Sequence, residues 1–125
     1  MNAKASRVDA AFIEKQRQAL TKLRAELSSA LREEEAEDAA INEEGAGPRE
    51  YEDDAQKLAT LELDGALRVR DLERLGRVDR ALKKIEEGTY GLSDMSGQPI
   101  PRERLEVVPE SLYTLTEEES LERKR

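Results

Sequence analysis

Asn42-Glu43-Glu44-Gly45-Ala46-Gly47-Pro48 is the stretch on which the fold turns. Its two glycines lift steric restraint, and its proline disfavours helix in the residue before it, so a helix arriving here ends. A long run with helical spacing lies on each side. From about Ser6 to Ile41, Val8, Phe12, Leu20, Leu23, Leu27 and Leu31 recur at three, four or their sums, which places them on one face. From about Glu50 to Glu87, a second stripe is supplied by Leu58, Leu61, Val69, Leu72, Leu75, Val78, Leu82 and Ile85. Gly65 interrupts it, at a cost of about 1 kcal/mol relative to alanine, and suits a close helix approach or a mild bend. Gly88 stands where a helix C-terminal glycine is expected. The short connection predicts antiparallel neighbours, each of about 35 residues or roughly 50 Å. Residues 1–88 are thus expected to form a coiled-coil hairpin with its tip near 42–50.

Composition narrows the function. Charged residues make up 40% and aromatics 3% of the 125 residues, with no Trp and a single Phe, so a thick globular core is not expected. Leu and Ala on a background of Glu, Arg and Lys instead suit long helices packed along a narrow seam. Disorder is the competing reading of so polar a chain, and the periodic leucines argue against it. The net charge of −8 repels a duplex, and no basic patch with interleaved aromatics compensates, so direct DNA binding is not expected. Such a surface suits a basic groove on another protein, or simply solubility. The absence of Cys and His excludes disulfides, thiolate or imidazole zinc sites and histidine catalysis. Carboxylate pairs are guaranteed by 29 acids, but no aromatic pocket or Gly-rich phosphate loop accompanies them, so an enzyme is not expected. Met1 to Ala10 has no apolar stretch for a secretory signal, and no segment approaches the ~20 apolar residues of a membrane span. A cytoplasmic protein without a membrane partner is the expectation.

The character changes from Thr89 to Tyr113. Gly91, Gly97, Pro99, Pro101 and Pro109 punctuate short apolar pieces, Ile100 and Leu105-Glu106-Val107-Val108, which predicts a small lobe of turns with a short hairpin. Thr114-Leu115-Thr116-Glu117-Glu118-Glu119 reads as a helix start, since Thr114 with Glu117 and Thr116 with Glu119 both fit a capping box. Acids at its beginning and Arg123-Lys124-Arg125 at its end suit the helix dipole. The fold class expected is mainly α: a long antiparallel hairpin, a small lobe over 89–125 and a short C-terminal helix.

The segment Ala81-Leu82-Lys83-Lys84-Ile85-Glu86-Glu87-Gly88-Thr89-Tyr90-Gly91 leads on to Gly97-Gln98-Pro99-Ile100-Pro101-Arg102-Glu103-Arg104-Leu105-Glu106-Val107-Val108-Pro109. Together they resemble the DksA/TraR family of bacterial RNA polymerase-binding proteins, whose G-x-P-I-x-x-x-R-L-E-A-x-P stretch lies between two cysteine pairs. About thirty residues match well. The resemblance implies a zinc-finger-like lobe, but the ligand positions here are Ser93, Ser96, Thr114 and Glu117. Hydroxyls are poor zinc ligands at neutral pH, so a lobe without zinc, and no cofactor, is expected. With Asp94, these residues offer oxygen to a hard cation; alternatively, the serines make turns and Thr114 with Glu117 caps the last helix. Structural zinc contributes on the order of 10 kcal/mol to small peptides. Its replacement is expected from one apolar cluster of Tyr90, Ile100, Leu105, Val107, Val108, Leu112 and Tyr113, with Leu92 and Met95 filling space beside the missing ligands.

The resemblance also implies that the hairpin tip is the working end. In the family, the coiled coil enters the secondary channel of RNA polymerase, and a D-x-x-D-x-A motif acts near the catalytic centre. Counted back from Ser93 without gaps, that motif falls on Glu50-Tyr51-Glu52-Asp53-Asp54-Ala55, so Glu50, Asp53 and Ala55 are the matching residues. Carboxylates three apart at a helix start face one side and suit magnesium, and Ala55 allows close approach to a wall. Acids after a loop are also ordinary helix-start residues, and Glu43, Glu44, Glu52 and Asp54 make the whole tip acidic. The expected function is a non-enzymatic transcription regulator with RNA polymerase as partner. The alternative is a coiled-coil interaction module that kept the fold and lost the polymerase role. Family members respond together with the alarmone ppGpp, a partner this sequence does not itself reveal.

Overall fold

The computed structural model describes residues 8–44 and 51–124. They form α1 (Ala10–Glu44), α2 (Tyr51–Glu87), α3 (Arg102–Val107) and α4 (Leu115–Lys124). The expected mainly α hairpin is therefore observed, with its first helix starting four residues later than the leucine spacing suggested.

Local chemistry fixes the helix ends. The Asp9 side chain accepts the Phe12 N–H at 2.8 Å and its carbonyl accepts the Ile13 N–H at 3.0 Å, the two bonds of an N-cap. At the C-terminus of α2, Gly88 adopts φ +80°, its N–H reaches the Ile85 carbonyl, and the Thr89 N–H reaches that of Lys84. This is the Schellman arrangement, and it stops α2 at the glycine the sequence singled out.

The chain divides into two compact units, one of residues 1–24 and 76–125, the other of residues 25–75. In the first, Arg24 of α1 bonds Asp79 of α2 at 2.5 Å, whereas Gln16, two turns earlier on α1, reaches Tyr90 beyond the end of α2. Advance along α1 is thus retreat along α2, as an antiparallel pair requires. Phe12, Leu20, Val78, Ala81, Tyr90, Ile100, Leu105 and Leu112 are its buried core, and the Arg102 guanidinium lies 4.3 Å from the centre of the Phe12 ring. In the second unit, Leu27 and Leu31 of α1 are buried.

The stripe expected on α2 needs correction. Leu58, Val69 and Leu72 are 59%, 55% and 53% exposed. Asp64, Arg68, Asp71, Leu75, Val78 and Leu82, which alternate by four and three, are less exposed, as are Ala81, Lys84 and Ile85 near the helix end. Of the expected seam, Leu75, Val78, Leu82 and Ile85 thus turn inward, and the Leu61 side chain lies outside the described residues. Leucines on α2 occupy several faces, so spacing alone did not single out the packed one. Among the described residues, nothing lies within 4 Å of where a Cβ on Gly65 would stand, so none of them makes the close approach that its position suggested.

The lobe differs from a hairpin of strands. An isolated antiparallel bridge joins Leu92 and Pro99, flanked by Ser93 N–H to Gln98 carbonyl at 2.8 Å and Ile100 N–H to Gly91 carbonyl at 2.7 Å. The apolar piece Leu105-Glu106-Val107, expected among turns and a short hairpin, lies in α3, whose N-cap is Pro101 at φ −55° and ψ 139°. In a helix, residues two apart point to opposite sides, so Leu105 is fully buried and Val107 is 80% exposed. Val107 therefore leaves the expected apolar cluster, Val108 and Tyr113 are half-buried, and Met95 is exposed, not a space filler. Gly91 adopts φ +92°, and a Cβ there would lie 3.0 Å from Val8 Cγ2.

Candidate functional site

The four expected ligand positions come together. Ser93 Oγ donates to Glu117 Oε1 at 2.5 Å, and the same oxygen accepts the Thr114 N–H at 2.9 Å. Glu117 returns its own N–H to Thr114 Oγ1 at 3.3 Å, closing the capping box that begins α4. Ser93 Oγ also accepts the N–H groups of Met95 at 3.0 Å and Ser96 at 3.2 Å. The Ser93 hydroxyl, followed by that of Ser96 and the Thr114 N–H, holds the Glu117 carboxyl down to about 2.

This donor set does not fit zinc. It has no thiolate or imidazole, and Ser93 Oγ spends its proton on Glu117 and both lone pairs on backbone N–H groups. Among the described residues, no group of three or more acidic side chains is placed to hold a metal ion.

A second network, missed by sequence reasoning, begins one residue on. Asp94 receives Arg80 through two nitrogens, at 2.9 and 3.0 Å, and pairs with Lys84 at 3.0 Å. Lys84 is only 2% exposed and also donates to the Leu92 carbonyl. The Arg80 guanidinium, helped by Lys84, holds the Asp94 carboxyl below its usual range. A third network is buried between α1 and the lobe. Gln16 Nε2 donates to Tyr90 Oη at 3.0 Å and to the Leu105 carbonyl at 2.7 Å, while Tyr90 donates to the Pro109 carbonyl at 2.9 Å. Its signal was present in the sequence: Gln16 is a polar residue four from Phe12 and four from Leu20, within the apolar register.

Of the expected tip residues, Glu50 lies outside the described residues, and Asp53 and Ala55 fall in the first two turns of α2. An open cleft of about 220 Å³ between α1 and α2, lined by Arg17, Thr21, Leu82, Ile85 and Glu86, is smaller than typical small-molecule sites. No helix among the described residues is long and apolar enough to cross a membrane.

A helical hairpin whose helices run into a small lobe with a turn, a bridge and a short terminal helix defines a DksA-like architecture. Comparison with known proteins agrees. No family model matches the chain. An uncharacterised protein of Aquifex aeolicus is 35% identical over 112 residues, covering 90% of this chain and 77% of that protein. The RNA polymerase-binding transcription factor DksA of Caulobacter vibrioides is 37% identical over 70 residues, covering 53% of this chain and 49% of that protein. The chain thus matches about half the length of that relative. The solved structure of transcription factor DksA2 from Pseudomonas aeruginosa is similar in fold, with a TM-score of 0.74 at 24% identity, covering 99% of this chain and 92% of that one. The chain belongs to the DksA/TraR family, as a member with hydroxyl and carboxylate groups where zinc-binding cysteines are expected.

Proposed function

We propose that this protein is a non-enzymatic transcription regulator that binds RNA polymerase through the secondary channel, with Glu50, Asp53 and Ala55 at the working end of the hairpin. The observation that carries the reading is the 37% identity over 70 residues with a DksA named for binding RNA polymerase. The physical logic is that a helical pair is narrow enough for a channel that excludes a globular domain. Acids at the start of α2 then meet basic residues or a magnesium ion already partly ligated by the polymerase. Glutamate at position 50, in place of the family's aspartate, adds a methylene and alters the reach of that carboxylate. This change, with the altered lobe, favours one second reading: an interaction module that kept the fold and lost the polymerase role.

A titration of the full chain against bacterial core polymerase, paired with transcription from a short-lived open complex, tests the proposal. Asp53→Asn is expected to bind polymerase within about twofold of the unchanged protein and to lose its effect on transcription. Failure of the unchanged protein to bind at all selects the second reading. Repeating the titration with ppGpp asks whether the alarmone acts jointly.

A further inference from the structure

We propose that two carboxylates, Asp94 and Glu117, together do the cross-linking that a bound metal does in a thiolate-bearing lobe, so that this lobe closes with no metal. A metal held by two pairs of ligands joins two distant pieces of chain. Here the 93–96 turn is joined in both directions by neighbouring residues. Ser93 is tied forward to α4 through Glu117 at 2.5 Å. Asp94 is tied back to α2 through Arg80 and Lys84, and its N–H bonds the Leu112 carbonyl at 2.8 Å, just before the chain enters α4.

The burial pattern explains why both acids are needed. Lys84 is 2% exposed, and an ammonium so placed requires a paired anion, which Asp94 provides. Glu117 gathers the Ser93 hydroxyl and the Thr114 N–H on a single oxygen, one from each of the two segments that a metal would bridge. Charge-assisted bonds of this kind are directional, so they fix the turn against α4 as coordination geometry would. The apolar cluster does not do this alone, because Val107 and Met95 stay exposed.

The test uses the purified full chain, metal analysis, and thermal unfolding followed by near-ultraviolet tyrosine dichroism, to which Tyr90 and Tyr113 of the lobe contribute. The expected result is less than a tenth of an equivalent of zinc, and a midpoint that moves by less than about 1 °C on adding EDTA or equimolar zinc, since a ligand bound only by the folded state raises it. Stoichiometric zinc whose removal lowers the midpoint overturns the proposal. Ser93→Ala and Glu117→Ala are each expected to lower the midpoint by about 4–8 °C. The double variant should fall by clearly less than the sum of the two single losses, because the Ser93–Glu117 tie is removed in both, while the turn bonds of Ser93 and the cap bond of Glu117 are lost separately. Fully additive losses overturn the assignment of Glu117. Should Glu117→Ala give no folded signal, Glu117→Gln takes its place in the same cycle. Asp94→Ala is expected to lower the midpoint more than Arg80→Ala, because only the former strands Lys84; the reverse order overturns the assignment of Asp94.

Discussion

Tyr90 shows how much one side chain carries. Burial pushes its hydroxyl from 10.0 up to about 12, against the opposing hydrogen bond from Gln16. The folded protein therefore favours the neutral phenol more strongly than the unfolded chain does. This contribution is fully present below pH 10 and is lost as pH rises through about 12. Denaturant titrations between pH 9 and 12 should show a fall in stability that is shallower in Tyr90→Phe, because phenylalanine has no proton to lose. At pH 7 the same variant is expected to be less stable by about 1 kcal/mol, since Gln16 Nε2 and the Pro109 carbonyl each lose a partner. Equal alkaline slopes in the two proteins would show that Tyr90 is not the group responsible.

At the scale of the helix, burial decides which apolar residues form the seam. Leu20 of α1 is fully buried, whereas Leu72 of α2 is 53% exposed. Leu20→Ala is expected to cost about 2–5 kcal/mol, and Leu72→Ala less than about 0.5 kcal/mol, in urea unfolding followed by far-ultraviolet dichroism. Similar losses at both sites would mean that the stripe read from spacing is the packed one after all. The contrast also marks how far the sequence was legible. Two long helices could be read because their periodicity runs for many turns and because Gly88 ends the second. The seam of α2 could be read over Leu75, Val78, Leu82 and Ile85 but not before them, because leucines at 58, 61, 63, 67 and 72 satisfy more than one face. The helix α3 was hidden because six residues are under two turns, too few to distinguish helical spacing from an apolar strand. In the candidate site, Ser93, Ser96, Thr114 and Glu117 could be located by pattern. The pairing of Asp94 with Arg80 and Lys84 could not, since charges on so acidic and basic a helix have many possible partners until the tertiary fold selects one.

At the scale of the whole molecule, charge is the property with the longest reach. The chain carries a net −8 in 125 residues. On the proposed reading its partner surface is basic, so the two are drawn together before any contact forms, and orientation benefits most if the acids near the start of α2 lead. That attraction acts across solvent and is therefore screened: the Debye length is ~10 Å at 0.1 M salt and ~3 Å at 1 M. Contacts formed after docking exclude water and feel salt much less. Rapid-mixing measurements with core polymerase should accordingly show the association rate falling by about tenfold between 50 and 500 mM salt, with the dissociation rate changing by less than about threefold. Neutralising the cluster by Glu52→Gln with Asp54→Asn should flatten the salt dependence of association. An association rate indifferent to salt would mean that the acidic surface serves solubility alone, and that whatever brings this hairpin to a partner depends on shape and apolar contact, for which the exposed leucines of α2 are then the first residues to test.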